Sequence, residues 1–212
     1  MNRPHSLTRW LRALAPGTLA TRAAALAVAV VAALGVTTAV ATATPRVASS
    51  FSFGLQASSA AISACLPNAV GHVTITTEGI NDTMKVSISG MPANTGFDLF
   101  VIQQPGAPFG ISWYQTDIHA GSGGAGSATV KGVFDKETFS VSPGGTATFA
   151  PTHQYHLGLW FNNPNVPFNL GCEPGATSPI ITPFNGNQHA GIQVLNTAQF
   201  PVAAGPLSQV HR

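Results

Sequence analysis

The chain has 212 residues, of which only 8% are charged, against about a quarter in an ordinary soluble domain. Nine basic and seven acidic residues give it a formal net charge of +2. This length and composition suit a single globular domain with a polar but weakly charged surface, and they exclude a strongly basic or strongly acidic protein.

Residues 1–43 have the pattern of a secretory signal peptide. Four arginines and no acidic residue lie within the first 22 positions, residues 23–40 are uncharged, and residues 41–43 (Ala-Thr-Ala) provide the small side chains that signal peptidase accepts. The alternative is an uncleaved N-terminal transmembrane anchor, which needs about 20 apolar residues. Because eight of the 18 uncharged residues are alanine, the stretch is weakly hydrophobic, and we expect cleavage and secretion.

Loss of the leader reverses the sign of the net charge. The leader contains four basic residues and no acidic one, so residues 44–212 keep five basic and seven acidic residues, a net charge of −2. A protein that binds nucleic acid needs a basic surface to contact phosphates. Nucleic acid is therefore excluded as an expected partner, and the membrane is a partner only if the leader is retained.

The two cysteines, Cys65 and Cys172, both follow the leader. In an exported protein an even number of cysteines predicts a disulfide bond. This bond would close a loop of about 107 residues and stabilise the fold by roughly 4–5 kcal/mol. A metal or redox site is not favoured, because the cysteines do not form a Cys-x-x-Cys motif.

Patterns of alternating apolar and polar residues predict a series of short strands. Residues 44–64 are small and polar with a few aromatic residues, and we interpret them as a linker or a loosely attached first strand, before a single domain over residues 65–212. Residues 73–77 and 84–88 predict a hairpin, and residues 97–102, apolar on both faces apart from Asp98, predict a strand covered on both sides. A glycine-rich hairpin loop is expected at residues 121–126, and further strands at residues 113–119, 128–134, 138–141, 155–161, 179–182 and 192–197.

About nine short strands separated by turns predict an all-β fold. We expect a two-sheet antiparallel β-sandwich with Greek-key connections, and a β-barrel is the alternative. Residues 86–101 comprise a strand, the turn GMPANTG and an apolar strand, and this stretch resembles immunoglobulin-like and fibronectin-like modules. The resemblance implies a sandwich architecture and no particular function, because such modules serve many functions.

Two of the predicted strands each carry a tryptophan and a histidine on their less apolar face. If these strands, residues 113–119 and 155–161, were neighbours in one sheet, their outer faces would form a candidate ligand-binding patch. Flat aromatic rings beside amide, carboxylate and imidazole groups suit the apolar faces and hydroxyl groups of sugars. The predicted patch consists of Trp113, Gln115, Asp117, His119, His156 and Trp160.

The histidines also raise the possibility of a metal site. Imidazole and carboxylate groups are common ligands of divalent metals, and the candidate ligands are Asp117, His119, His153, His156 and His189. The spacing does not favour this site, because residues three apart on a strand, such as His153 and His156, point to opposite faces. No cofactor is expected apart from the divalent metal of this alternative.

The sequence therefore favours an exported, extracellular or cell-surface binding or structural module over an enzyme. Glycans or wall components are the expected ligands, and two asparagine-rich loops, residues 162–165 and 183–189, are candidates for the rim of a site. The first alternative is a metal-dependent extracellular enzyme that uses the histidine and aspartate cluster. The second alternative is an architectural domain without a small-molecule site.

Overall fold

The structure is a computed structural model that describes residues 49–134, 153–185 and 188–210. Within these ranges it contains two short α-helices, α1 (Ala60–Cys65) and α2 (Asn165–Asn169), and a 3-10 helix at Pro206–Gln209. The strands are β1 (Ser49–Ala57), β2 (Val70–Glu78), β3 (Asn81–Ser89), β4 (Thr95–Ile102), β5 (Ser112–Ala120), β6 (Gly126–Gly132), β7 (His156–Phe161), β8 (Thr182–Asn185), β9 (Gln188–Ala190) and β10 (Gln193–Asn196). The predicted all-β fold is confirmed.

Eight of these strands form one antiparallel sheet in the order β5-β4-β7-β10-β1-β2-β3-β6, and β8 and β9 form a separate pair. Strand β1 joins the two halves of the sheet, because residues 49–55 pair with β2 and residues 56–57 pair with β10. The end strands β5 and β6 lie against each other, so the sheet nearly closes into a barrel. The predicted two-sheet sandwich is not confirmed, and the barrel alternative is compatible with this arrangement.

The β2–β3 hairpin follows the alternating pattern of its sequence. Glu78 pairs with Asn81, which leaves Gly79 and Ile80 as a two-residue turn. Gly79 has a φ of +88°, which glycine adopts at little cost. The inner face of the hairpin is fully buried and consists of Val73, Ile75, Met84, Val86 and Ile88. The predicted hairpin is confirmed.

Apolar side chains form two separate clusters. The main core fills the inside of the sheet and takes residues from both halves, among them Val73, Leu99 and Leu159. The second cluster lies on the outer face of the β5-β4-β7-β10 half and consists of Phe100, Ile102, Trp160 and Ala190, with Phe109 packed against it. Phe109 belongs to the loop of residues 103–111, which therefore covers part of this outer face. As a result, β4 is covered on both faces at Phe100 and Ile102, as predicted for residues 97–102, whereas Asp98 stays partly exposed on the outer face.

Of the two interpretations of residues 44–64, a linker or a loosely attached first strand, the part that the structure describes contains a strand, and this strand is firmly attached. Strand β1 lies inside the sheet between β10 and β2, and the side chains of Phe53, Leu55 and Ile62 are buried in the main core. The physical reason is the alternation of Phe51, Phe53 and Leu55 with small polar residues, which gives β1 one apolar face. Residues 49–64 are therefore an integral part of the domain.

The predicted disulfide bond between Cys65 and Cys172 is present. It joins the end of α1 to the segment that follows α2, and the two Cα atoms are 5.1 Å apart. Cys172 is buried and Cys65 packs against the main core. The bond therefore links two connections that are far apart in the chain, and it is consistent with an extracellular location.

Several predictions from the sequence lie outside the described residues. These are the leader of residues 1–43, the strand at residues 138–141 and part of the asparagine-rich loop at residues 183–189. The strand expected at residues 179–182 begins later, because β8 starts at Thr182. Among the described residues, none of the helices has the length and apolar character needed to cross a membrane.

Candidate functional site

The predicted ligand-binding patch requires β5 and β7 to be neighbours, and they are not. Strand β4 lies between them and pairs with both. The order of strands in a sheet depends on long-range pairing, which the spacing of residues in the sequence does not determine. Three of the six patch residues are also not on an open surface. Trp113 packs against the main core, and His156 and Trp160 are buried.

Trp113 faces the opposite side of β5 from the one predicted. The pairing of β4 with β5 shifts by one residue, because Leu99 lies opposite Thr116 whereas Phe100 lies opposite Tyr114. This β-bulge leaves Gln115 without a partner on β4 and reverses the alternation of side chains before it. Trp113 consequently packs against the main core. Tyr114 takes the place on the outer face that the regular pattern assigned to Trp113.

Trp160 lies on the predicted face of β7, but that face is covered. Its side chain is fully buried among rings of the second cluster, with its ring centroid 5.6 Å from that of Phe100 and 5.0 Å from that of Phe109. Both contacts are edge-to-face, an arrangement that aromatic rings prefer. Trp160 is therefore a core residue and is not available to stack on a sugar.

His156 is buried and makes two hydrogen bonds within the fold. Its Nε2 lies 3.0 Å from the carbonyl oxygen of Val202, and its Nδ1 lies 2.9 Å from the hydroxyl of Thr197. Because a carbonyl oxygen only accepts, Nε2 carries the proton, and Nδ1 accepts from Thr197 when the imidazole is neutral. Burial lowers the pKa of His156, and the hydrogen bonds to Val202 and Thr197 oppose this change in part. His156 is thus a neutral structural group rather than a ligand to a metal or a sugar.

Acid should destabilise the protein through His156. Because the folded state holds the pKa of His156 below 6.5, only the unfolded state takes up this proton as the pH falls through that value. The stability that neutral His156 provides is fully present above pH 6.5 and is lost below it, at a rate of at most about 1.4 kcal/mol per pH unit. Urea unfolding between pH 7.5 and 5 (roughly the range in which histidine titrates) should show this loss.

The matched controls are His156→Gln and His119→Gln. The His156→Gln variant should be less stable at neutral pH by about 1–3 kcal/mol, because it disturbs buried hydrogen bonds, but its stability should depend less on pH. The His119→Gln variant replaces an exposed imidazole and should keep the pH dependence of the natural protein. If His156→Gln retained the full acid-dependent loss, another group would be responsible.

The four histidines predicted as metal ligands do not converge. His119, His153 and His189 are exposed, whereas both ring nitrogens of His156 are engaged as described. The Nδ1 atom of His153 is 2.6 Å from the hydroxyl of Tyr155. In the part of the chain that the structure describes, no group of three or more histidine, cysteine or acidic side chains is placed to hold a metal ion.

A different polar group forms on the outer face of β4 and β5. Asp98 and Asp117 lie directly opposite each other in the two strands. The hydroxyl of Tyr114 donates a hydrogen bond of 2.8 Å to Oδ1 of Asp117, and Nδ2 of Asn162 donates one of 3.0 Å to Oδ1 of Asp98. We call these four residues the carboxyl cluster. His119 lies on the same face, opposite Gly96, and is exposed.

The proximity of the two carboxyl groups changes their acidity and that of the tyrosine. Burial raises the pKa of Asp98, the hydrogen bond from Asn162 opposes this, and contact with Asp117 raises it further. Burial, the hydrogen bond to Asp117 and the negative charges of Asp117 and Asp98 raise the pKa of Tyr114 to about 12. Tyr114 therefore stays protonated and keeps its hydrogen bond at physiological pH.

Replacement of Asp98 by asparagine should stabilise the protein at neutral pH. The Asp98→Asn change removes the repulsion between two like charges opposite each other in a sheet, worth about 0.2–1 kcal/mol, and the new side chain can still accept the hydrogen bond from Asn162. Since folding raises the pKa of Asp98, its ionisation costs stability as the pH rises through the folded-state pKa. The gain should therefore be largest at pH 7 and disappear in acid, where Asp98 is protonated.

Denaturant unfolding of the Asp98→Asn variant and of the natural protein, at pH 7 and in acid, measures this gain in the free energy of unfolding. Glu78→Gln is the matched control, because Glu78 forms an ion pair of 3.5 Å with Lys131 instead of facing an acid. That variant should be neutral or slightly less stable at pH 7. A loss of stability in Asp98→Asn at pH 7 would contradict the repulsion between Asp98 and Asp117.

The sequence pattern predicts Asp117 and His119 on an outer face, but it does not indicate Asp98, Tyr114 or the role of Asn162 in this site. One signal for Asp98 was present, since it is the charged residue in an otherwise apolar strand. An ionisable group in such a strand usually serves a specific contact. Tyr114 was missed because the bulge at Gln115, which turns it outward, has no clear signature in the sequence.

Comparisons with known proteins do not assign the chain to a family. The chemistry of the carboxyl cluster allows hydrogen bonding to a polar ligand, and the exposed ring of Tyr114 offers a flat aromatic surface beside it. A function for the chain is therefore inferred from these two properties of the carboxyl cluster. No protein-family model matches the chain, and no curated protein resembles it significantly.

Proposed function

We propose that the chain is an exported binding module whose ligand is a glycan, held on the outer face of β4 and β5. The signal-peptide pattern of residues 1–43 and the low charge of the rest support export. The disulfide bond is consistent with it. The proposal keeps the function expected from the sequence but moves its site from the predicted patch to the carboxyl cluster.

The observation that carries this proposal is the exposed and fixed ring of Tyr114. Its side chain is 55% exposed, although its hydroxyl is held by Asp117 and its ring packs edge-to-face on Phe100, with ring centroids 5.6 Å apart. A ring held in place loses little entropy when a ligand stacks on it. Sugar rings stack on tyrosine through their C–H groups, while their hydroxyl groups need donors and acceptors nearby.

The groups around Tyr114 supply these donors and acceptors. Carboxylate oxygens of Asp98 and Asp117 accept hydrogen bonds, and the amide of Asn162 and the imidazole of His119 can donate them. The negative charge of the cluster disfavours acidic sugars here and favours neutral or amine-bearing ones. This combination of one aromatic surface and several polar groups is typical of sites that recognise sugars.

The geometry of the carboxyl cluster favours binding over glycoside hydrolysis. The two acidic groups of a retaining glycosidase are about 5–5.5 Å apart and those of an inverting one are further apart, so that a sugar or a water molecule fits between them. In the carboxyl cluster the two groups lie on directly opposite residues of paired strands, and each accepts a hydrogen bond from a neighbouring side chain, Asp117 from Tyr114 and Asp98 from Asn162. Both carboxyl groups are therefore engaged as acceptors within the fold, which supports binding over acid–base catalysis.

We also infer that the domain is an incomplete barrel rather than a sandwich. Strand β1 pairs with both halves, and the hairpin between β5 and β6 brings the two end strands together. A side chain at Gly126 would clash with the backbone of His119, which supports a close approach of these strands next to the hairpin. The carboxyl cluster would then lie on the outer wall of the barrel.

Substitution of Tyr114 by alanine should weaken binding to an insoluble polysaccharide about 10-fold, because stacking on an exposed aromatic ring contributes on the order of 1–1.5 kcal/mol. Retention of the purified protein on cellulose, chitin and isolated cell walls measures this change. The matched control is Ile80→Ala, which removes an exposed apolar side chain from the β2–β3 turn, away from β5, and should leave retention unchanged. Equal retention of Tyr114→Ala and the natural protein on every material would refute the proposed site.

A further inference from the structure

Serine and threonine supply most of the side chains on the outer face of β1, β2, β3 and β6. Three rows of residues run across these four strands in register: Ser50-Thr76-Thr83-Lys131, Ser52-Thr74-Lys85-Thr129 and Gly54-His72-Ser87-Ser127. We call these twelve residues the hydroxyl face. All of them except Thr83 are at least partly exposed. None of them is phenylalanine, tyrosine, tryptophan or a large aliphatic residue, and the one aromatic ring among them is the imidazole of His72.

Positive charge is concentrated on the hydroxyl face. Of the residues that the structure describes, Lys85 and Lys131 are the only lysines or arginines, and both lie here on the neighbouring strands β3 and β6. They occupy diagonal positions, which places their Cβ atoms about 7–8 Å apart. The acidic pair Asp98 and Asp117 lies on the outer face of the other half of the sheet. The acidic residue beside the hydroxyl face is Glu78, at the end of β2.

The regular spacing of the hydroxyl groups is a second property of this face. Rows are separated by two residues along each strand, about 6.6–6.8 Å, and neighbouring strands are about 4.8 Å apart. Some hydroxyl groups are already paired, since those of Ser52 and Thr74 are 2.8 Å apart. Such groups both donate and accept, so they can bond to the hydroxyl groups of a sugar chain laid across the strands.

We propose that the hydroxyl face binds an acidic polysaccharide, a linear chain of sugars that carry carboxylate groups. Lys85 and Lys131 attract the carboxylates, and the serine and threonine side chains bond to the sugar hydroxyls. A single-stranded nucleic acid fits less well, because successive bases need several aromatic rings on which to stack and this face offers only the imidazole of His72. This surface is separate from the carboxyl cluster, so the proposal does not depend on the site proposed for Tyr114.

Affinity electrophoresis through gels that contain polygalacturonate tests the proposal, with dextran as the neutral polymer. The protein should be retarded by polygalacturonate at low salt, less so at higher salt, and not by dextran beyond its mobility in an empty gel. The double variant Lys85→Gln/Lys131→Gln should bind polygalacturonate about 10-fold more weakly, because two exposed charge contacts are lost. These side chains are exposed, so the variant should fold normally, which a thermal melt verifies.

Two further variants separate charge from shape. Glu78→Gln removes the carboxylate that pairs with Lys131 and should strengthen binding to polygalacturonate. Ser87→Leu places a bulky aliphatic side chain on the face, two residues along β3 from Lys85, and should weaken binding without any change of charge. Unchanged retardation of the lysine double variant would overturn the proposal. So would equal competition by inorganic polyphosphate of matched charge, since that result would show a site for anions in general.

Discussion

Loss of the disulfide bond should lower the free energy of unfolding by about 4–5 kcal/mol. Cys65 and Cys172 are 107 residues apart, and a cross-link over such a distance removes much of the conformational freedom of the unfolded chain. Small domains are stable by only about 5–15 kcal/mol in total. The reduced protein should therefore unfold at a much lower urea concentration than the oxidised one.

Urea unfolding of the Cys65→Ala/Cys172→Ala double variant measures this loss. The natural protein in excess reductant is the matched control, and its unfolding free energy should agree with that of the double variant within about 1 kcal/mol, because the alanine changes remove little buried volume. A double variant as stable as the oxidised protein would show that the cross-link does not stabilise the fold. A loss seen in the double variant but not on reduction would point to packing around Cys172 instead.

The local pattern of the sequence predicts those strands in which one face is apolar. The hairpin of β2 and β3 was predicted because its alternation is regular and its turn contains a glycine that needs a positive φ. The same alternation is present in β1, but the serines and alanines around Phe53 and Leu55 lower its mean hydropathy, so the segment resembles a linker or a loosely attached strand. The average composition of the segment is therefore polar, although every second residue from Phe51 to Leu55 is apolar.

The order of the strands could not be predicted in the same way. Which strands become neighbours depends on contacts between residues far apart in the chain, and a single sequence does not record these contacts. The predicted patch assumed that β5 and β7 were adjacent, and the insertion of β4 between them separates Trp113 from Trp160. The bulge at Gln115 adds a second error, because a single extra residue reverses the face of every side chain before it.

The composition of β7 indicates that the strand is buried on both faces, whereas the predicted patch requires one face of it to be open. The strand reads His-Leu-Gly-Leu-Trp-Phe, and all six residues are buried. A run with so few polar residues is typical of a strand covered on both sides, the interpretation correctly applied to β4. Alternation alone placed His156 and Trp160 on an open face, whereas the composition of the strand indicated that neither face was open.

The largest effect of a single substitution in the second cluster is expected at Trp160. Truncation of this fully buried ring by Trp160→Ala should lower the free energy of unfolding by about 3–5 kcal/mol, because it leaves a cavity between Phe100 and Phe109. If Trp160 were instead exposed for a ligand, its removal would change stability by less than about 0.5 kcal/mol. The same measurement thus distinguishes the two placements of this residue.

Two comparisons make the Trp160 experiment specific to the second cluster. Ile80→Ala removes an exposed apolar side chain and should change stability by less than about 0.5 kcal/mol. Gly158→Ala adds a methyl group that would clash with the ring of Trp160, and it should be destabilising by about 1–3 kcal/mol through overpacking. Since Gly158→Ala and Trp160→Ala act on the same contact, their effects should not add: once the ring is absent, the extra methyl group should cost much less. Full additivity would contradict the packing of Trp160 over Gly158, on which the assignment of Trp160 to the core depends.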